Sequence, residues 1–237
     1  MKIFKNVKLK VMKKLIFILL GLIVFSCTKE NQEPQPECDC RNELFYYSSG
    51  KKEFLDSMLS NNYLTIGFKQ SIDHDEIIYQ INQYKIFKPV MESDIFEQVE
   101  EDLYHIIFVQ TNLNYTCSNM KQIKQMLETN QLIAFANLTF KSTLWFAGEY
   151  ANIDAITDEF MVKVKNINDL SDFYAVLKET NTTIKRDSLF GYKDVYMISA
   201  NKYSKGDALQ MSKYFYETGK FVWVNPNFMH VGLGIND

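Results

Sequence analysis

The segment 127–135 (LETNQLIAF) returns 89 residues later as 216–224 (YETGKFVWV), so a helix end, a stop and the start of an apolar strand occur twice in the same order. A chain duplicated in this way is constrained to fold as two copies of one supersecondary unit, and the spacing is too long for a solenoid repeat. The preceding segments agree. Residues 63–69 (YLTIGFK) alternate Leu64, Ile66 and Phe68 to one side, and residues 160–165 (FMVKVK), 96 positions on, alternate Phe160, Val162 and Val164. Both patterns have the period of a half-buried strand. After the first strand, Ile77, Ile78, Ile81 and Tyr84 share a helical face. After the second, Leu170, Phe173 and Leu177 do so behind an expected cap at Asn168 or Asp169. Apolar runs at 104–110 and 194–200 read as strands, and each is followed by a helix. The first helix, over 119–129, shows Met120, Ile123 and Leu127; the second, over 207–218, shows Ala208, Met211 and Phe215. Asn130 and Gly219 are the expected stops, as residues that tolerate a left-handed backbone.

With a weakly marked second strand (182–187 in the later copy), each half reads β-α-β-β-α-β. The expected fold is therefore α+β, with tandem ferredoxin-like antiparallel sheets that carry helices on one face. The boundaries expected are repeat 1 over 61–141, a linker over 142–156 and repeat 2 over 157–229, with a tail over 230–237. A hairpin over 44–60 precedes them, with Ser48-Ser49-Gly50-Lys51 as its turn.

The amino terminus has a different character. Lys13-Lys14 precede an apolar run over 15–25 that ends at Ser26-Cys27, the order of a secretory signal. A helix of that length rises about 16 Å, too little to cross a hydrocarbon layer of about 30 Å. Met12 is an alternative start to Met1. Val24-Phe25-Ser26-Cys27 resembles a bacterial lipobox in the relaxed form of Bacteroidetes lipoproteins, and Thr28-Lys29-Glu30 is similar to a surface-export signal of that phylum. The resemblance implies a signal peptide over 1–26, lipidation at Cys27, a tether over 27–43 and an outer-membrane location. Each buried methylene contributes about 0.8 kcal/mol, so several acyl chains hold a protein to a membrane almost permanently.

The formal net charge is −3, yet the first 26 residues hold six Lys and no acid, which leaves −9 on the rest. That balance argues against a nucleic-acid partner. Beyond Cys27 stand Cys38, Cys40 and Cys117, an odd number. One of the first two is expected to pair with Cys117, with free thiols as the alternative; no metal site is expected. His74, His105 and His230 lack ligand spacing, and no cofactor motif occurs. Ser118-Asn-Met-Lys121 satisfies SxxK without the accompanying KTG. The acidic groups Asp73, Asp75, Glu76 and Glu97, Glu100, Glu101, Asp102 lack the spacing and glycine of a Ca²⁺ loop. Asn114, Asn137 and Asn181 head N-glycosylation patterns, and Asp56-Ser57-Met58 and Asp187-Ser188-Leu189 are similar to an O-glycosylation sequon of Bacteroidetes.

Several strands are apolar on both sides. Strict alternation puts Phe221 and Trp223 on one face and Val222 and Val224 on the other. Helices cover one face only, so the second needs a cover, from within the chain or from a partner. Residues 158–165 (DEFMVKVK), 205–208 (KGDA), 216–219 (YETG) and 225–229 (NPNFM) resemble the propeptide of Bacteroidetes subtilisin-type proteases, and 45–52 (FYYSSGKK) is similar to the start of such propeptides. The resemblance implies a ferredoxin-like fold that docks a protease through an open sheet face around Met197, Phe221 and Trp223. It also implies a tail, His230, Val231, Gly232 and Leu233 through Asp237, that enters the cleft like a product. The sequence ends at Asp237 before any Asp/His/Ser triad. The expectation is thus a non-catalytic inhibitor or folding helper of a separate subtilisin-type protease, with a surface binding or adhesion module, or the remnant of a truncated protease gene, as alternatives. Labelled palmitate should enter the wild-type chain and not Cys27→Ala, which should leave the membrane fraction; equal label in both would remove Cys27 as the attachment point.

Overall fold

The computed structural model describes residues 40, 43–97, 104–142, 150–189 and 191–234. The signal segment, Cys27, the tether up to residue 39, Cys38 and the Glu100 to Asp102 acids lie outside the described residues. Among the described residues, four α-helices form where apolar residues recur at helical spacing and a polar side chain accepts the first free amides. In α1 (His74–Asn82), Asp73 accepts from the Glu76 amide at 2.8 Å. In α2 (Cys117–Glu128), Thr116 accepts from the Asn119 amide at 3.3 Å. In α4 (Ala208–Glu217), Asp207 and Gln210 close a reciprocal capping box. α3 (Ser171–Thr180) starts one residue later than expected: Leu170 is the cap position, and Asp169 instead accepts from the amide and hydroxyl of Ser171. Gly219 is left-handed at φ 67°. Asn130 is not among the left-handed residues; its side chain accepts from the Leu132 amide instead.

The strands are β1 (Phe45–Ser48), β2 (Lys51–Phe54), β3 (Leu59–Lys69), β4 (Ile95–Glu97), β5 (Tyr104–Gln110), β6 (Ile133–Lys141), β7 (Tyr150–Val164), β8 (Thr183–Arg186), β9 (Val195–Ser199) and β10 (Phe221–Gly234). β1 and β2 form the hairpin, turned by the left-handed pair Ser49 and Gly50. It sits on α4, where Tyr47 stacks on Tyr216 at 4.0 Å. The other strands make one sheet. The first half runs β4-β5-β3-β6 and the second β10-β7-β9-β8, all antiparallel. In each half the first strand lies between the third and the fourth, and the second lies outside the third. This is the β-α-β-β-α-β arrangement written twice, an α+β architecture consistent with a ferredoxin-like fold.

The halves join through β7. Its carboxyl-terminal part pairs with β9, from Glu159↔Ser199 to Lys163↔Val195, and its amino-terminal part pairs on the same side with β6, from Thr139↔Ala155 to Lys141↔Ile153. Along its other edge β10 follows it from Phe221↔Val164 to Gly234↔Tyr150. Part of the segment expected as a linker, from Tyr150 to Ile156, is therefore strand, and both repeats belong to one compact unit, Glu37–Asp237. One core runs through both helical faces, from Leu64, Ile66 and Ile81 to Phe160, Phe173 and Phe215.

The outer face of the first repeat is covered from within. Ile106, Phe108 and Phe135 pack with Ile153 and Ala155 of β7 and Val231 of β10. Phe135 also lies across its strand partner Gly67, where a Cβ would sit 2.1 Å from the ring. A glycine is needed here because the ring occupies the space above the backbone. Gly67→Ala should lower stability by about 1–3 kcal/mol in urea denaturation, and Phe135→Leu in the same chain should recover part of it. An unchanged midpoint for the single variant would show that the ring is free to move aside.

Candidate functional site

The expected docking face is divided by a register shift. Phe221 pairs with Val164 and Trp223 with Lys163, so Val222 is an extra residue in the ladder, 53% exposed, and the alternation changes parity across it. Phe221 therefore turns into the helix-side core, stacked on Phe215 at 5.3 Å, together with Val224. Trp223 lies on the opposite face, with Met197, Met161, Val195 and Leu189. Met197 and Trp223 share a patch as expected; Phe221 does not belong to it.

The tail is likewise not free where the structure describes it. His230, Val231, Gly232 and Leu233 pair in β10 with Asp154, Ile153, Asn152 and Ala151. Val231 is buried, and His230 Nδ1 lies 2.7 Å from Asp154 Oδ1. The strand continues because β7 offers a partner along its whole length and the first repeat offers an apolar face for alternate side chains. Residues 235–237 lie outside the described residues.

Among the other expected residues, Cys40 and Cys117 form a disulfide that ties the start of the folded unit to α2, with Cα atoms 6.1 Å apart. Lys121 of the SxxK pattern is ion-paired with Glu43. His74 and His105, 31 positions apart in sequence, meet edge to face at 4.8 Å; among the described residues no group of three or more His, Cys, Asp or Glu could hold a metal ion. Asn137 is buried, its amide donating to the Ile156 and Thr157 carbonyls, and is inaccessible to glycan transfer in the folded chain.

Sequence reasoning missed a buried polar network where the repeats meet. Asp158 is 1% exposed, and Ser199 donates to it at 2.5 Å. Lys185 pairs with Glu159 at 2.5 Å with both side chains nearly enclosed, and Asn227 donates to the second oxygen of Glu159 at 2.7 Å. Lys185 also lies 5.1 Å from the centre of the Tyr104 ring. Burial, and then the Asp158 charge, push the Tyr104 hydroxyl up to about 12. Burial raises the Asp158 carboxyl above its usual value, although Lys185 and the Ser199 hydroxyl pull against it. Two adjacent acids opening an apolar strand, Asp158-Glu159, were the available signal.

A cleft of ≈ 730 Å³ lies between α2, α4 and the segment that precedes α4, with Phe135, Leu138 and Met211 among its lining. Lys124 bridges Glu128 at 3.4 Å and Asp207 at 3.1 Å there. Burial disfavours its charge, but the two carboxylates outweigh that and raise its pKa. A second cleft of ≈ 310 Å³ holds Tyr63, Phe96, Phe108 and Gly232. The network residues line neither.

No protein-family model matches this chain, and no curated protein matches it. A solved structure, the small subunit of acetolactate synthase from Thermotoga maritima, is similar over 72% of this chain and 96% of that one, at 8% identity and a TM-score of 0.27. A likeness that low carries no argument about function.

The buried carboxyl has a consequence for stability. A folded-state pKa raised above the unfolded value means that the native state binds the proton more tightly, so stability is greatest below the ordinary carboxylate range and is lost as pH rises through the folded value. Asp158→Asn, which keeps a partner for Ser199, should melt above wild type at pH 8, with the gap closing toward pH 4. A constant gap would place the pH dependence elsewhere.

Proposed function

We propose that this chain is a non-catalytic binding module of the bacterial cell envelope, secreted by its amino-terminal signal and anchored through lipid on Cys27. The observation that carries this reading is the paired tail. With His230 to Leu233 held in β10 and the outer face of the first repeat covered by the chain itself, the fold stands without a protease to complete it. A tail used as a strand is not available to thread a cleft. Ser199 and Lys185 of the buried network are enclosed and hydrogen-bonded, which favours a structural use over chemistry.

A second reading keeps the propeptide relation and rests on a separate observation, the half-open patch of Trp223 and Met161 over Met197 on the second repeat. In that reading the chain docks a subtilisin-type protease by this patch alone, as inhibitor or folding helper. The two readings separate in one titration. A binding module leaves every member of a panel of subtilisin-type proteases at full activity at equimolar dose. The docking reading instead expects near-stoichiometric slowing of at least one enzyme, relieved by Trp223→Ala.

A further inference from the structure

The second repeat ends in a strand edge that the first repeat puts to use. Leu59 pairs with Phe140 in the first copy and Ala155 with Met229 in the second, 96 and 89 residues on, so β6 and β10 are equivalent strands at these positions. Beyond β6 the sheet continues: Thr139, Phe140 and Lys141 pair along their other edge with β7, the first strand of the next repeat. Their counterparts Phe228, Met229 and His230 pair with β7 on one edge, and among the described residues no strand lies on the other. The sheet thus stops at a place where its own plan adds a strand.

The backbone of this edge faces outward. The Ser142 amide donates to the Asn152 carbonyl at 3.0 Å and the Asn137 side-chain amide to the Ile156 carbonyl at 3.1 Å, so Asn152 and Ile156 turn their carbonyls toward β6. In an antiparallel ladder the residues opposite them, Gly232 and Phe228, then turn their own backbone groups away from β7. With a period of two, so do His230 and Gly234. Free edges are ordinarily guarded by shortness, charge, proline or bulges. β4 is three residues long; β8 and β2 are four, and carry Lys185 and Arg186, and Lys51 and Lys52. The amino-terminal part of β10 has two register shifts and Pro226. From Phe228 to Gly234 there is no proline, Lys, Arg, Asp or Glu, and His230 and Gly232 are exposed. Gly232 also borders the cleft of ≈ 310 Å³, so open space lies beside it.

We propose that this edge joins two copies of the chain, β10 against β10 of the second copy, antiparallel about a two-fold axis at Val231. The inner strands have both edges in use and the other free edges are short, so among the described strands β10 itself is what a second copy offers at matching length. The outward groups fix the register. Phe228 and Gly234 of opposite copies, and His230 and Gly232, form the hydrogen-bonded pairs, so each larger residue meets a glycine. The two Val231 residues face each other in a non-hydrogen-bonded pair, a favourable β-branched contact. Because the same segment is used on both sides, the contact closes at two copies. This association goes beyond the binding-module reading and does not depend on what the module binds.

The test uses the purified full chain carrying Cys27→Ala and Cys38→Ala, so that neither lipid nor the odd thiol contributes. Sedimentation at about 10 µM should give the mass of a pair. Gly232→Pro, which removes an outward N–H that β7 does not use, should raise the dissociation constant at least about tenfold, with melting to show that the chain stays folded. Under mild oxidation Val231→Cys should cross-link to a dimer, since the two Cα atoms at this position lie about 4.5 Å apart in such a pair. Met229→Cys should not, because its own copy lies four residues along the ladder, about 13 Å away. The cysteine variants decide the matter even where the proline variant does not fold. A monomer up to about 100 µM, a folded Gly232→Pro chain that pairs as tightly as its parent, or equal cross-linking of the two cysteine variants would each overturn the proposal.

Discussion

A strand can hydrogen-bond on two edges only, and β7, 15 residues long, uses both. Its outer edge takes β10 throughout, while its inner edge is divided between β6 of the first repeat and β9 of the second. Two units that each had an open sheet are thereby fused into one. The point of division, between Ala155 and Glu159, is where backbone groups lose their regular partners, and buried backbone groups must find others. Asn137 supplies them: its amide donates to the carbonyls of Ile156 and Thr157, while the Thr157 hydroxyl accepts from the Glu159 amide. The polar network of Asp158, Ser199, Glu159, Lys185 and Asn227 gathers at this same break, because the ladder there is irregular and its surroundings are closed to water.

The fusion also decides which apolar surface remains outside. The first repeat hides its second face under the extended ends of β7 and β10, whereas in the second repeat Met197 and Val195 pack with Leu189, and Trp223 and Met161 against them are left half open. Helices, hairpin and β6 meanwhile line a cleft of mixed charge. The molecule thus offers two surfaces of contrasting chemistry, an apolar patch on the second repeat and that cleft beside α2 and α4. Neither requires a reactive group, and the disulfide from Cys40 to Cys117 fixes the start of the folded unit beside α2, which borders the cleft.

Much of the architecture was legible in the chain. The matching segments around Leu127 and Tyr216, the alternation of Leu64, Ile66 and Phe68 and of Phe160, Val162 and Val164, and the helical faces of Ile77 and Phe173 all lie where periodicity places them, because local burial leaves a period of two or of about 3.6. The candidate site was much less legible. Alternation assumes an unbroken ladder, and one inserted residue at Val222 sent Phe221 inward and left Trp223 outside. The tail past Met229 looked free because its partners, Asn152 to Asp154, fell in a stretch read as linker.

The sequence by itself determined the duplicated β-α-β-β-α-β order, the hairpin turn at Ser49 and Gly50 and the export-like amino terminus, since each is written in residues close together along the chain. Tertiary structure alone decided that the two copies share β7, that Cys40 rather than a neighbour meets Cys117, that His230 to Leu233 form a strand, and where the buried ions gather. Those outcomes depend on which distant segments compete for the same strand edge and the same apolar face, and a one-dimensional pattern records the need for a partner without recording its identity.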